Sequence, residues 1–110
     1  MVKIGIAVAT AMLFGAAATQ AWGVDEAAAE ALARKSGCLK CHAPDKKKDG
    51  PSQKEIAAKW KGKPDAEQKL FTHVTTSPKV KVDGKEEEHE QLKTKDPAEI
   101  KNVLQWILSR

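Results

Sequence analysis

Ser36-Gly37-Cys38-Leu39-Lys40-Cys41-His42-Ala43-Pro44-Asp45 holds both cysteines of a 110-residue chain. They stand three apart, and His42 follows the second at once. Three chemistries use such a pair: a redox disulfide, half of a zinc site, or covalent attachment of a haem. The fold depends on which of these applies.

A zinc site takes four ligands, usually from two paired elements. Outside the motif only His73 and His89 could complete the set, and they form no second pair. A thioredoxin-like redox pair follows a strand in a βαβ unit, whereas Cys38 follows a helical pattern. A disulfide here would close a tiny loop and constrain the unfolded chain little. The haem reading uses every residue of Cys38-Leu39-Lys40-Cys41-His42. Two thiols at this spacing can bond the two vinyl groups on one porphyrin edge, and the adjoining His42 then supplies an axial nitrogen. A bound haem would also fill the interior of a chain too small to build a large core of its own.

The amino terminus fits that chemistry, since such haems are attached outside the cytoplasm. Lys3 precedes an apolar run from Ile4 to Ala18, and Thr19-Gln20-Ala21 offers small residues where a signal peptidase reads. We therefore expect residues 1–21 to be a secretory signal peptide and the mature domain to be 22–110, exported to the periplasm. An uncleaved anchor is the alternative, because about 20 apolar residues can span a bilayer. Removing 21 residues from 110 leaves 89, one small domain, and takes only Lys3 from a formal net charge of +4. A balance so weak and so evenly interleaved excludes a nucleic-acid reading. Lys46-Lys47-Lys48 and Lys59, Lys61 and Lys63 are local basic clusters, either solvated faces or docking points for an acidic partner.

The pattern beyond the motif is all-α, with four helices expected. Asp25 to Lys35 has acids at its start and bases at its end, with Gly37 placed to close it. Ala28, Leu32 and Ala31 mark its apolar face. Ser52-Gln53-Lys54-Glu55 is a capping box for a helix to about Lys61, closed by Gly62. Pro64 to Thr75 is a third helix, with Leu70, Phe71 and Val74 apolar. Val80-Lys81-Val82 alternates, Asp83-Gly84 is a tight-turn signal, and Lys85 to Lys95 is polar. Asp96-Pro97-Ala98-Glu99 caps a last helix on which Ile100, Val103, Leu104, Ile107 and Leu108 form a continuous stripe.

Together these segments resemble the small bacterial class I c-type cytochromes, monohaem electron carriers of the periplasm. The likeness covers the helix ending at Gly37-Cys38, the motif itself, Gly50-Pro51, "KEIAAKWKG" and the closing "IKNVLQWILSR". It implies about four short helices around one covalent haem c held by Cys38 and Cys41. It implies His42 as proximal ligand, with its ring proton given to the carbonyl of Pro51. It implies crossed first and last helices sharing Leu32 and Trp106, and Trp60 as a pocket aromatic.

The chain departs from the family at one position. The family's distal ligand is a methionine in the loop before the last helix, but Met1 and Met12 are the only methionines and both lie in the signal segment. His89 stands near that place and is the expected distal ligand. Glu86, Glu87, Glu88 and Glu90 around it argue the other way, because a protonated imidazole cannot bind iron. His73, a lysine or an open site are the alternatives. Two nitrogen ligands imply a lower reduction potential than nitrogen plus thioether.

The expected function is therefore electron transport, not enzymatic catalysis. The carrier would be a monomer meeting redox partners with acidic docking surfaces, through Lys40 and Lys46 to Lys48, with no membrane span after cleavage. The alternative is a haem sensor whose labile distal site admits carbon monoxide or nitric oxide.

Overall fold

The structure is a computed structural model that describes residues 23–110. The expected signal peptide, residues 1–21, lies outside the described residues. In chain order the elements are α1 (Glu26–Lys35), α2 (Cys38–Cys41), α3 (Gln53–Trp60), α4 (Ala66–Thr75), β1 (Lys79–Val82), β2 (Lys85–Glu88) and α5 (Pro97–Leu108).

α1 starts where the Asp25 carboxylate accepts the Ala28 N–H at 3.1 Å, and Glu26, Arg34 and Lys35 complement its dipole. Its buried residues are Ala29 and Ala33, while Ala28 and Ala31 are exposed and Leu32 is half-buried. The expected apolar face is thus rotated by one residue. Two alanines facing inward let the backbone of α1 come close to α5. The helices are pinned at one end by a reciprocal pair: Asp25 N–H donates to Asn102 Oδ1, and Asn102 Nδ2 donates to Asp25 O, both at 2.9 Å.

α5 is the spine. Asp96 caps it by accepting the Ala98 N–H at 2.9 Å, and Pro97 occupies the first turn, where its missing N–H costs nothing. Ile100, Val103, Leu104 and Trp106 are buried in one core with Ala29, Ala33, Leu70 and Leu92. Burying each large aliphatic side chain contributes about 1.5–3 kcal/mol. Leu32 and Trp106 belong to this same core, Leu32 at its margin. α3 and α4 pack on the remaining flanks of α5. The Ser52 hydroxyl caps α3 by accepting the Glu55 N–H at 3.1 Å.

Between α4 and α5 the structure adds a hairpin to the four expected helices, and the attachment motif itself coils into the single turn α2. β1 and β2 are antiparallel, with Lys79 opposite Glu88 and Lys81 opposite Glu86. Such opposite charges add roughly 0.2–1 kcal/mol per pair. Asp83 and Gly84 both take positive φ, 51° and 76°, as the tight turn of a two-residue hairpin requires. The alternation Val80-Lys81-Val82 and the Asp83-Gly84 signal were legible, but the returning strand Lys85–Glu88 has no apolar side chain to announce it.

Candidate functional site

The site has a locally built side and a tertiary side. On the first, α2 brings His42 round so that its N–H donates to Cys38 O at 2.8 Å. The following loop then folds back on the motif. Gly50 N–H donates to Cys41 O at 3.1 Å, Gln53 N–H to Ala43 O at 2.9 Å and Lys54 N–H to Pro44 O at 3.2 Å. That return places Pro51 O at 2.7 Å from His42 Nδ1. A carbonyl can only accept, so Nδ1 carries the proton and Nε2 keeps its lone pair free. Gly50 lies flat against the ring: a Cβ there would stand 2.6 Å from His42 Cε1 and 3.0 Å from Nδ1.

Cys38 and Cys41 are both half-buried free thiols. Burial pushes the Cys38 thiol pKa up, with the charges of Glu90 and Cys41 adding to it. Neither sulfur is spent on a disulfide, so both are available for thioether bonds.

On the other side stands His89, the first residue after β2. Its N–H donates to Pro78 O at 2.8 Å. Beyond it, Leu92 N–H donates to Val74 O at 3.1 Å, and Lys93 N–H to the buried Ser36 hydroxyl at 2.9 Å. The His42 and His89 rings have centroids 6.0 Å apart and planes inclined by 37°. One metal ion between two imidazoles needs a centroid separation of about 6.2 Å, from bonds of about 2 Å and about 1.1 Å within each ring. The residues fit an iron held by two histidines.

The acidic strip does not act on His89 as its composition suggested. Glu86, Glu87 and Glu88 lie on exposed β2. Burial is the largest influence on the His89 ring and lowers its pKa; the Glu90 backbone and carboxylate oppose it, and the charge of His42 adds to the lowering. The neutral, ligating form is the favoured one. His73 sits on α4 with its ring 4.3 Å from that of His89. Its pKa too is lowered, first by burial and then by the charges of His89, His42 and Lys59.

Trp106 is 5% exposed and walls the core, with the Arg110 guanidinium 5.3 Å from its ring centre. Trp60 is half-buried at the core's margin, and the amines of Lys59, Lys63 and Lys69 lie 5.5, 5.2 and 5.9 Å from its ring. Lys40 and Lys46 to Lys48 are exposed around the attachment motif. Sequence reasoning missed Gln53, which is 1% exposed and donates through Nε2 to His42 O at 3.3 Å. Its place in the capping box disguised it as a surface residue of the first turn. Among the described residues no group of three or more His, Cys, Asp or Glu is arranged to hold a bare metal ion, and no helix is long and apolar enough to cross a membrane.

Comparison with known proteins places the chain in a family. The sequence profile of the cytochrome c family matches residues 26–110. The chain is 36% identical over 87 residues to cytochrome c2 of Rhodocyclus tenuis, covering 72% of this chain and 88% of that protein. Over 54 residues it is 43% identical to cytochrome c-551 of Pseudomonas aeruginosa, 49% of each chain. The crystal structure of the class 1 cytochrome MtoD from Sideroxydans lithotrophicus ES-1 is 54% identical, with a TM-score of 0.75 over 79% of this chain and 97% of that one. The chain belongs to the cytochrome c family, as a small class I c-type cytochrome: an electron-transfer protein with one covalently bound haem c.

Proposed function

We propose that the mature protein, residues 22–110, is a monomeric periplasmic electron carrier with His42 as proximal and His89 as distal iron ligand. Cys38 and Cys41 hold the haem, and residues 1–21 are the cleaved export signal. The observation that carries the ligand reading is the pair of imidazoles with ring centroids 6.0 Å apart, one of them already oriented by Pro51 O.

When bound, the haem supplies a one-electron couple. The chain's own residues do the rest. Pro51 O fixes the tautomer of His42 and makes its Nε2 a better donor. Half-buried His89, its pKa lowered first by that burial, favours the neutral form that would hold the iron from the distal side. Two nitrogen donors lower the potential relative to methionine-ligated relatives. Trp106 and the core beneath it keep water from one side, and Trp60 packs at its margin. Lys40, Lys46, Lys47 and Lys48 offer positive charge beside the attachment motif for an acidic partner, giving encounters that are fast at low ionic strength and slower with salt.

The test is the optical spectrum of the secreted holoprotein and of His89→Ala. A low-spin spectrum without the methionine-to-iron charge-transfer band is expected, and its loss in the variant. Unaltered low-spin bands in His89→Ala would reject His89 as ligand. Ready carbon monoxide uptake by the ferrous wild type at neutral pH would favour the sensor reading over the carrier.

A further inference from the structure

The two imidazoles are not equally supported. His42 Nδ1 has Pro51 O at 2.7 Å. His89 Nδ1 is enclosed by protein and has no hydrogen-bond partner, one of two such side-chain atoms among the described residues. Its other ring nitrogen is not enclosed in that way. If Nε2 faces the iron, Nδ1 must carry the proton, and a buried N–H without an acceptor costs about 1–3 kcal/mol. Histidines that bind metals almost always give that proton to a second group.

The His73 ring packs beside the ring of His89. The two rings are 4.3 Å apart between centroids and inclined by 58°. A neutral imidazole has one lone pair with which to accept. The contact is also held from both chain directions. His89 N–H is bonded to Pro78 O and Leu92 N–H to Val74 O, so the segment carrying His89 is stitched to α4 and to the turn that follows it. α4 itself is tightened there, where the hydroxyls of Thr75 and Thr76 donate to Phe71 O at 2.7 Å and Thr72 O at 2.6 Å. A modest turn of either ring converts the contact into an N–H···N bond.

We infer that His73 is the positioning residue of the distal ligand, accepting the Nδ1 proton of His89 as Pro51 O accepts that of His42. The inference rests on His89 being the distal ligand. Accepting the proton makes the His89 lone pair more basic and fixes its ring, which strengthens the iron bond and favours the ferric state. The competitor is the backbone carbonyl of Glu90, close enough to the His89 ring to favour its protonated form. Side-chain changes at position 73 leave that carbonyl in place, so the two acceptors are separable.

The experiment compares wild-type holoprotein with His73→Phe, which keeps a ring without nitrogen, and His73→Gln, which keeps an acceptor. Redox titration and cyanide binding to the ferric protein are the readouts. His73→Phe should stay low-spin, titrate at a higher potential and bind cyanide about tenfold more tightly. His73→Gln should return both toward wild type. In the ferrous wild type, nitrogen-15 NMR should show a slowly exchanging proton on His89 Nδ1 that exchanges faster in His73→Phe. If His73→Phe matches wild type while His89→Ala loses the low-spin spectrum, the positioning role falls and the ligand assignment stands. Equal shifts in the Phe and Gln variants would reduce His73 to packing and overturn the inference. A high-spin His73→Phe beside a low-spin His89→Ala would make His73 the ligand and overturn both.

Discussion

Gly50→Ala puts the proximal architecture to its sharpest test. The φ of Gly50 is outside the left-handed region, so alanine meets no backbone strain there and the effect is one of space alone. The added carbon would sit 2.6 Å from His42 Cε1, where ordinary contact begins at 3.4 Å. About 0.8 Å must be found by moving the ring or the loop. The loop cannot retreat freely, because Gly50 is joined to Pro51, whose carbonyl holds His42 Nδ1 at 2.7 Å. Overpacking of this size costs about 1–3 kcal/mol, and loss of the hydrogen bond about 0.5–1.5 kcal/mol more. The stiffer unfolded chain returns about 0.4–1 kcal/mol. The net is a destabilisation of about 2 kcal/mol, or a fall in Tm of roughly 8–16 °C for a domain of this size. Thermal melting of the holoprotein, followed by circular dichroism, reads it directly. A redox titration of the same sample should move to higher potential, since a His42 that has lost its acceptor is a weaker donor. A melting midpoint within about 2 °C of wild type, with the potential unmoved, would refute the claim that backbone contact at Gly50 orients the proximal imidazole.

Three further outcomes follow from the packing and the charges. Ser36→Ala leaves the Lys93 N–H facing a buried site without its acceptor and should cost about 1–3 kcal/mol in urea unfolding; a change below about 0.5 kcal/mol would mean water replaces the hydroxyl. Leu104→Ala, at a side chain 1% exposed in the centre of α5, should cost about 2–5 kcal/mol by the same assay, and a smaller loss would show that α1 collapses into the gap. Both His73 and His89 have lowered ring pKa values, so on acidification the unfolded chain takes up protons first. The stability they contribute is complete above about pH 6.5 and is lost as pH falls toward their folded values. Guanidine midpoints should be lower near pH 5 than near pH 7.5, and a higher midpoint in acid would contradict the burial of these rings.

Legibility of the fold in the sequence followed the range of the interactions. Asp25, Ser52 and Asp96 announced three helix starts because a cap is a contract between residues two or three apart. The motif announced its own chemistry for the same reason: Cys38, Cys41 and His42 act within one turn. The face of α1 was misjudged because alanine carries so little hydrophobic signal that five of them, Ala27, Ala28, Ala29, Ala31 and Ala33, look alike until α5 selects two. β2 was missed because Lys85, Glu86, Glu87 and Glu88 read as solvated charge; only their pairing with Lys81 and Lys79 makes them a strand. The charge around His89 was legible and its burial was not, since burial depends on α4 and on the return of the chain through Leu92.

That difference in range also sets how the two axial positions behave. The proximal imidazole is oriented by Pro51, 9 positions along the chain, and by a loop whose hydrogen bonds close between Cys38 and Lys54. The distal imidazole depends on groups farther along the chain: Pro78 O, Val74 O and, through Lys93, the Ser36 hydroxyl, 57 residues from Lys93. The exposed hairpin that precedes it buries little apolar surface of its own. Segments with few buried contacts open at lower free energy than the core that anchors them. The distal side therefore opens before α1 and α5 separate, and in the proposed two-histidine site the hold of His89 on the iron would be the part that the global fold controls. A methionine in this place would have to be held by packing alone, because its flexible thioether has no N–H to anchor through a hydrogen bond. If His89 is the distal ligand, histidine at this position turns a packing problem into a hydrogen-bonding one, with the hairpin, the backbone bonds to Pro78 O and Val74 O and the neighbouring His73 ring placed around it.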